Sequence, residues 1–230
     1  MSSVLRMGPT AGEEVQAAEG GAPAPVRDLV LCADGSAPER VAAYVERELP
    51  PGGIPAYREA RGGGARSFVL WADEHRRERL ATLVTESAAN GVATYRLVGA
   101  HGELIGTFVR EKAWRGRGLR TRWTVTPAGG PEAVGFKGRI LWWYVWWLFL
   151  PLQTLIIVLS LVGGDGDAAR GPRRIVWRAG RQAPLEFRSQ DDSVRLHAPG
   201  YDWRLGVALV ALLRTFDSWL LGAEWDDRRK

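Results

Sequence analysis

The chain has 230 residues, of which 31 are lysine or arginine and 26 are aspartate or glutamate, so its formal net charge is +5. This length is sufficient for one sizeable domain. The single cysteine, Cys32, excludes a disulfide within the chain and is typical of a domain that faces the cytosol. Positive charge favours anionic partners, and because the sequence contains no nucleic-acid-binding motif, we expect membrane lipids, anionic ones in particular, and no nucleic acid.

The first 65 residues divide into two predicted parts. Residues 1–26 are rich in Gly, Ala, Pro and Glu and lack an apolar signal sequence, which predicts a disordered leader. Residues 27–65 are predicted to form a small appendage, which consists of a strand at 28–35 and a helix over 41–49. The spacing of Ser36 and Glu39 is typical of a helix cap, and the PPGG sequence at 50–53 would end the helix.

The remaining chain alternates apolar and polar residues with the period of a β-strand. The sequence SFVLWA predicts one strand, and two hairpins follow, one over 92–111 and one over 120–139. Three more short strands are predicted within 173–200. Eight or more strands with mostly short connections predict a mainly β fold, an antiparallel sheet closed into a barrel or sandwich over residues 66–222, followed by a charged tail at 223–230.

One stretch, residues 140–164, has twenty-five residues without a charged side chain. It predicts a membrane-embedded helical segment inserted between barrel strands, because a helix needs roughly 20 apolar residues to cross a bilayer. Its first half is rich in aromatic rings that prefer the headgroup layer, including Trp142, Trp143, Trp146 and Trp147. Pro151 interrupts the run, so we expect a re-entrant or interfacial hairpin. A single kinked span and a hairpin buried in a soluble core are the alternatives.

A helix over 203–222 is predicted to end the domain. Its charge-free core, Leu205 to Leu213, has only nine residues, which is too short for a membrane span. Since it is apolar nearly all round, we expect the sheet to enclose it, with a membrane location as the alternative.

Several of these segments resemble the tubby C-terminal-like superfamily, which includes phospholipid scramblases and LURP-one-related proteins. The resemblance covers about residues 66–221 and depends on the GELIG hairpin arm at 102–106, the RTRW strand at 120–123 and the DWR sequence at 202–204. It implies a barrel closed around a buried C-terminal helix and an association with lipid or a membrane surface. The run at 140–164 departs from that pattern.

The candidate binding residues are arginines and tryptophans, which together suit phosphate headgroups at a membrane surface. They are Trp114, Arg115, Arg117, Arg120 and Arg122, joined by the four tryptophans of the apolar run. A solvated loop is the alternative for the arginine cluster. The histidines and Cys32 have neither catalytic nor metal-ligand spacing, so we expect no catalytic residue, no metal and no cofactor.

These observations predict a non-enzymatic protein at the cytosolic face of a membrane, which binds lipid headgroups or a protein partner there. The alternative is a membrane enzyme or a scramblase-like component of lipid transport. Polar groups inside the apolar run would then be expected, and only Gln153, Thr154 and Ser160 are present. If the strands before and after the run share one sheet, both flanks must lie on one side of the bilayer.

Overall fold

The computed structural model describes residues 3–9, 25–35, 37–113, 120–137, 174–198, 200–216 and 225–227. Within these residues, twelve antiparallel strands form one closed barrel around a C-terminal helix, which confirms the predicted mainly β architecture. The strands are β1 (Ser3–Pro9), β2 (Asp28–Asp34), β3 (Arg40–Arg47), β4 (Phe68–Trp71), β5 (Arg79–Ala89), β6 (Val92–Gly99), β7 (Leu104–Glu111), β8 (Arg122–Pro127), β9 (Ala133–Phe136), β10 (Arg174–Ala179), β11 (Gln182–Arg188) and β12 (Ser193–Leu196). The helices are α1 (Gly53–Gly63) and α2 (Trp203–Arg214), and a single 3₁₀ turn follows at Trp225–Asp227.

The N-terminal strand β1 closes the barrel. Ser3 lies opposite Leu196 of β12 on one side and Asp34 of β2 on the other. Leu5 and Met7 point into the core and are buried. The prediction of a leader over 1–26 is therefore wrong for residues 3–9, because their alternating side chains fill the one gap through which the sheet would otherwise stay open. Residues 10–24 lie outside the described part of the chain.

The predicted helix over 41–49 is instead strand β3. Val41, Tyr44 and Val45 fit the helical period, but the same segment also alternates, and Ala43 and Val45 face the core. Backbone bonds to β2 and β4 favour the extended form, so this part of the predicted appendage belongs to the barrel. The helix in this region is α1, which begins after Gly52 and ends at Gly64, a residue with a φ of 107°.

Helix α2 lies in the middle of the barrel, as predicted. Its residues 205–213 are all buried, and the alternative of a membrane location for this helix is wrong. Asp202 caps the N-terminus by accepting a hydrogen bond from the backbone N–H of Arg204, at 2.9 Å. Gly206 allows close approach to the wall, since a Cβ there would lie 2.5 Å from Leu196 Cδ1. Neither α1 nor α2, the two α-helices of the described residues, is long and apolar enough to cross a membrane.

The strands define two ends of the barrel. We call the end at which α2 begins the upper end, and the end at which α2 finishes, near Arg214, the lower end. Strands β7, β9 and β11 finish at the lower end, and β8 and β10 begin there. Since β9 pairs directly with β10, the connection 137–173 leaves and re-enters the barrel at the lower end. The predicted membrane segment, 140–164, lies within this connection and outside the described residues.

Candidate functional site

Two connections depart side by side from the lower end. Residues 112–121 join β7 to β8, and residues 137–173 join β9 to β10. Because β8 and β9 are paired, the end of the first connection lies against the start of the second: the N–H of Lys137 donates to the carbonyl of Thr121 at 2.9 Å. The predicted Arg and Trp cluster and the apolar run are therefore attached to neighbouring positions of one barrel rim.

Arg120 lies at this junction. Its Nη2 donates to the Phe136 carbonyl at 3.4 Å, and its guanidinium carbon lies 5.2 Å from the centre of the Phe136 ring. Burial lowers the pKa of Arg120, which nevertheless stays charged at neutral pH. The Phe136 side chain is 44 % exposed, a high value for a large apolar residue. Arg120 is thus stacked on an exposed ring at the end of β9.

Arg122 faces outward two residues further along. Its guanidinium lies 3.6 Å from Glu111 and 3.4 Å from Glu132, so two carboxylates compensate its charge. Sequence reasoning gave Arg120 and Arg122 equal weight as headgroup ligands. Arg122 is thereby a weaker candidate than its place in the sequence suggested, because an arginine already paired with acids has less to gain from a phosphate.

A second cluster of arginines lies at the lower end, at the start of β10 and the end of β11. Arg174 and Arg188 both pair with Glu186, with 2.9 Å between Arg174 Nε and the carboxylate. Burial opposes ionisation of Glu186, but the two arginines outweigh it and hold the pKa of this carboxyl below its ordinary value. The turn after β11 adds the carboxylates of Asp191 and Asp192. The arginines at the start of β10 and the end of β11 are thus balanced by acidic partners.

Of the nine predicted binding residues, the structure describes two, Arg120 and Arg122. The other seven lie outside the described residues: Trp114, Arg115, Arg117, Trp142, Trp143, Trp146 and Trp147. Sequence reasoning missed Phe136 and Lys137 as members of the same rim. Their position at the end of a predicted strand, directly before the apolar run, was the signal that could have identified them.

The sequence predicted no catalytic role for Cys32 or the histidines, and in the structure these residues have separate partners. Cys32 is buried and donates to Asp34 Oδ1 at 3.5 Å, and burial raises the pKa of its thiol. His75 pairs with Glu74 at 3.4 Å, while His197 lies 3.7 Å from Glu186. Among the described residues, no three His, Cys, Asp or Glu side chains are grouped to hold a metal ion.

The described residues line several cavities, of which one of about 600 Å³ is an open groove beside Trp203 and Arg204 at the upper end. One of about 360 Å³ lies between α1 and the ends of β3 to β5, and its lining includes Leu49, Tyr57, Arg66, Ser67 and Thr85. Another of about 260 Å³ lies at the upper end beside Cys32 and Trp203. In the cavity beside α1, Ser67 donates to Glu48 Oε2 at 2.8 Å, and among the described residues no histidine lines that cavity to complete a nucleophilic triad.

The chain has no significant match among protein-family models, curated proteins or solved structures.

Proposed function

We propose that this protein is a non-enzymatic, membrane-associated β-barrel that binds anionic lipid headgroups, or a protein partner, at the cytosolic membrane face. Residues 140–164 anchor it, and the lower end of the barrel faces the bilayer. The observation that carries the proposal is the pairing of β9 with β10, in which Val134 lies opposite Arg178. The chain before the apolar run and the chain after it are thereby adjacent strands of one sheet.

This pairing supports a hairpin rather than a single span. Backbone hydrogen bonds between β9 and β10 require both strands to lie on the same side of a bilayer. Twenty-five residues would make a helix about 37 Å long, enough for one crossing but not for two. An even number of crossings is needed to return to the same sheet, so the run enters the membrane and turns back near Pro151 without traversing it.

The rim around the run supports contact with headgroups. Arg120, Phe136 and Lys137 lie where the run leaves the barrel, and the connection beside it carries Trp114, Arg115 and Arg117 in the sequence. Each cation close to an anionic surface contributes about 1 kcal/mol of binding free energy. A hydrophobic anchor combined with such a basic patch supplies the two signals that stable membrane attachment needs.

Placement in the tubby C-terminal-like superfamily belongs to the same proposal. A closed barrel around a buried C-terminal helix is the architecture that the resemblance implied, and the superfamily includes lipid-associated proteins. The soft motifs that carried the resemblance lie on β7, β8 and the start of α2. They supply no reactive group, which agrees with binding rather than turnover.

Flotation on lipid vesicles tests the anchor. The full chain should float with phosphatidylcholine vesicles, and more so when these contain phosphatidylglycerol. A variant in which a short Gly-Ser linker replaces residues 140–164 should stay at the bottom of the gradient while retaining the thermal unfolding transition of the barrel. If this variant floats like the full chain, the run is not the anchor.

Charge reversal tests the rim. Arg120→Glu should weaken binding to phosphatidylglycerol vesicles more than Arg96→Glu, a matched change at an exposed position on the outer wall of β6. Equal effects of the two variants would contradict a specific role for the lower end. Hydrolysis or transbilayer movement of the vesicle lipids in the same samples would instead favour a membrane enzyme or a scramblase-like component.

A further inference from the structure

The C-terminal 3₁₀ turn contributes a fully buried carboxylate to the lower end of the barrel. Asp226 has no exposed surface. Its carboxylate accepts hydrogen bonds from the Tyr57 hydroxyl at 2.9 Å and from Arg61 Nε at 2.9 Å, and Arg66 Nε lies 3.5 Å away. Arg47 donates to its backbone carbonyl at 2.9 Å. Four side chains from α1, β3 and the segment before β4 thus converge on one residue near the C-terminus.

The neighbouring Trp225 fixes the same turn to the core. Its ring meets Phe68 edge to face with 5.6 Å between centroids, and its Nε1 donates to the carbonyl of Ala211 in α2 at 3.1 Å. The turn is separated from the end of α2 by residues 215–224. The mouth of the barrel therefore receives Trp225 and Asp226 as a docked segment, held by side chains of other elements.

The arginine site is held in place independently of Asp226. Arg66 donates to Thr215 Oγ1 at 2.9 Å, to the Thr215 carbonyl at 3.2 Å and to the Arg61 carbonyl at 3.0 Å. Its guanidinium carbon also lies 4.2 Å from the centre of the Phe216 ring. Removing the carboxylate would leave Arg66 in position, with its charge uncompensated.

Positive charge exceeds negative charge around this mouth. Arg110 lies 4.0 Å from the centre of the same Phe216 ring, so two guanidinium groups share one aromatic side chain. Burial lowers the pKa of both arginines, yet both stay charged at neutral pH. A buried ion pair by itself adds little net stability, and apolar residues of similar volume often do as well. An arginine-rich mouth is better suited to receiving an anion.

The site also borders a cavity of the described residues. Tyr57 and Arg66, which contact Asp226, line the cavity of about 360 Å³ described above. Neither Asp226 nor Arg61 lines this cavity, so it borders the carboxylate site from the side of Tyr57 and Arg66, and Glu48 lies in the same lining.

We infer that the lower mouth of the barrel is a carboxylate-binding site, that its occupant in this structure is Asp226 of the chain's own C-terminal segment, and that an external carboxylate takes the same place when Asp226 does not fill it. The inference concerns the barrel alone and does not depend on the proposed membrane function. Tyr57, Arg61 and Arg66 are the recognition residues, with Trp225 as the anchor that delivers the internal ligand.

Chemical rescue tests this site in the full chain. Asp226→Ala removes the carboxylate and leaves a space of its size, so the melting temperature should fall. Sodium formate should raise the melting temperature of this variant, in a saturable manner, by about 2–4 °C more than sodium chloride at equal ionic strength. The wild-type chain, whose site is filled, should respond equally to the two salts. The same response of the variant and the wild type to formate would overturn the inference.

Two further variants make the test specific. Asp226→Asn fills the same volume without the charge, so formate should give it no extra stabilisation. Asp226→Ala combined with Arg61→Ala removes a recognition residue and should also abolish the rescue, whereas a persistent rescue would contradict the assigned site. If Asp226→Ala does not fold in chloride, recovery of the folded chain on refolding in formate supports the inference and its absence overturns it.

Discussion

Val134 of β9 and Arg178 of β10 lie opposite each other in the barrel wall, although forty-three positions separate them in the chain. The whole segment 137–173, with the apolar run inside it, is therefore a connection between neighbouring antiparallel strands. Such a connection normally needs only a few residues. Its length and composition set it apart from the other turns at the barrel ends.

The first prediction concerns the side of the membrane on which the two flanks of the run lie. Single cysteines are introduced in a Cys32→Ser background at Ala128, before the run, and at Gln182, after it. Ala128 is exposed in the turn after β8, and Gln182 is the exposed first residue of β11, so both positions lie at the upper end. Because β9 and β10 share one sheet, an impermeant thiol reagent should label both or neither in intact cells.

Each cysteine variant must react fully after detergent solubilisation, which controls for local burial. Opposite labelling of the two positions in intact cells would contradict the hairpin and require a true transmembrane span.

A second prediction concerns the burial of α2. Leu209 has no exposed surface inside the barrel. Leu209→Ala should lower the free energy of unfolding by about 2–5 kcal/mol, because the transfer free energy is lost and a cavity remains. Leu104→Ala provides the matched control, since Leu104 is 43 % exposed, and it should change the free energy by less than about 1 kcal/mol. Similar chemical denaturation curves for the two variants would contradict the central position of the helix.

A third prediction distinguishes two helical glycines. An added Cβ at Gly206 would lie 2.5 Å from Leu196 Cδ1 and 2.6 Å from Leu5 Cδ1, so Gly206→Ala should destabilise the fold by about 1–3 kcal/mol despite the better helix propensity of alanine. Gly62, in α1, has no atom within 4 Å of such a Cβ. Gly62→Ala should therefore stabilise the chain by about 0.5–1 kcal/mol. Thermal unfolding that shifts in the same direction for both variants would show that wall contact does not govern Gly206.

The fourth prediction concerns alkaline pH. Tyr95 is fully buried and its hydroxyl donates to the Gly64 carbonyl at 2.6 Å. Burial raises the pKa of this phenol from 10.0 to about 12. The folded state therefore holds the proton more tightly than the unfolded state. Its contribution to stability should be complete below pH 10 and decline as the pH rises from 10 towards 12.

Tyr95→Phe checks this assignment. The variant should lose about 1–3 kcal/mol at neutral pH, because the Gly64 carbonyl loses its donor. Its stability should also fall less steeply than that of the wild type above pH 10, when measured by urea denaturation across the alkaline range. Parallel pH profiles for the two proteins would refute the link between Tyr95 and alkaline unfolding.

The strands from β6 to β12 and the burial of α2 could be predicted from local pattern. Strand β6 alternates buried and more exposed residues with a period of two, and residues 205–213 lack any charged side chain, so these segments themselves specify what must face the core. The residues of the lower rim could be predicted from the sequence only in part. Arg120 was predicted as a binding residue. The compensation of Arg122 by Glu111 and Glu132 could not be predicted, because only strand register brings these three residues together.

Other features depended on contacts between distant parts of the chain. Residues 40–47 fit both a helical and an extended period, and only the neighbouring strands β2 and β4 select the strand. Residues 3–9 form a short segment that is distant in sequence from the other strands at the C-terminal side of the barrel. The segment forms a strand because it pairs with β2 and β12 simultaneously. Asp226 appears in the sequence as one charge of a polar tail. Its burial is decided by Tyr57, Arg61 and Arg66, because a carboxylate leaves water only where several donors already converge.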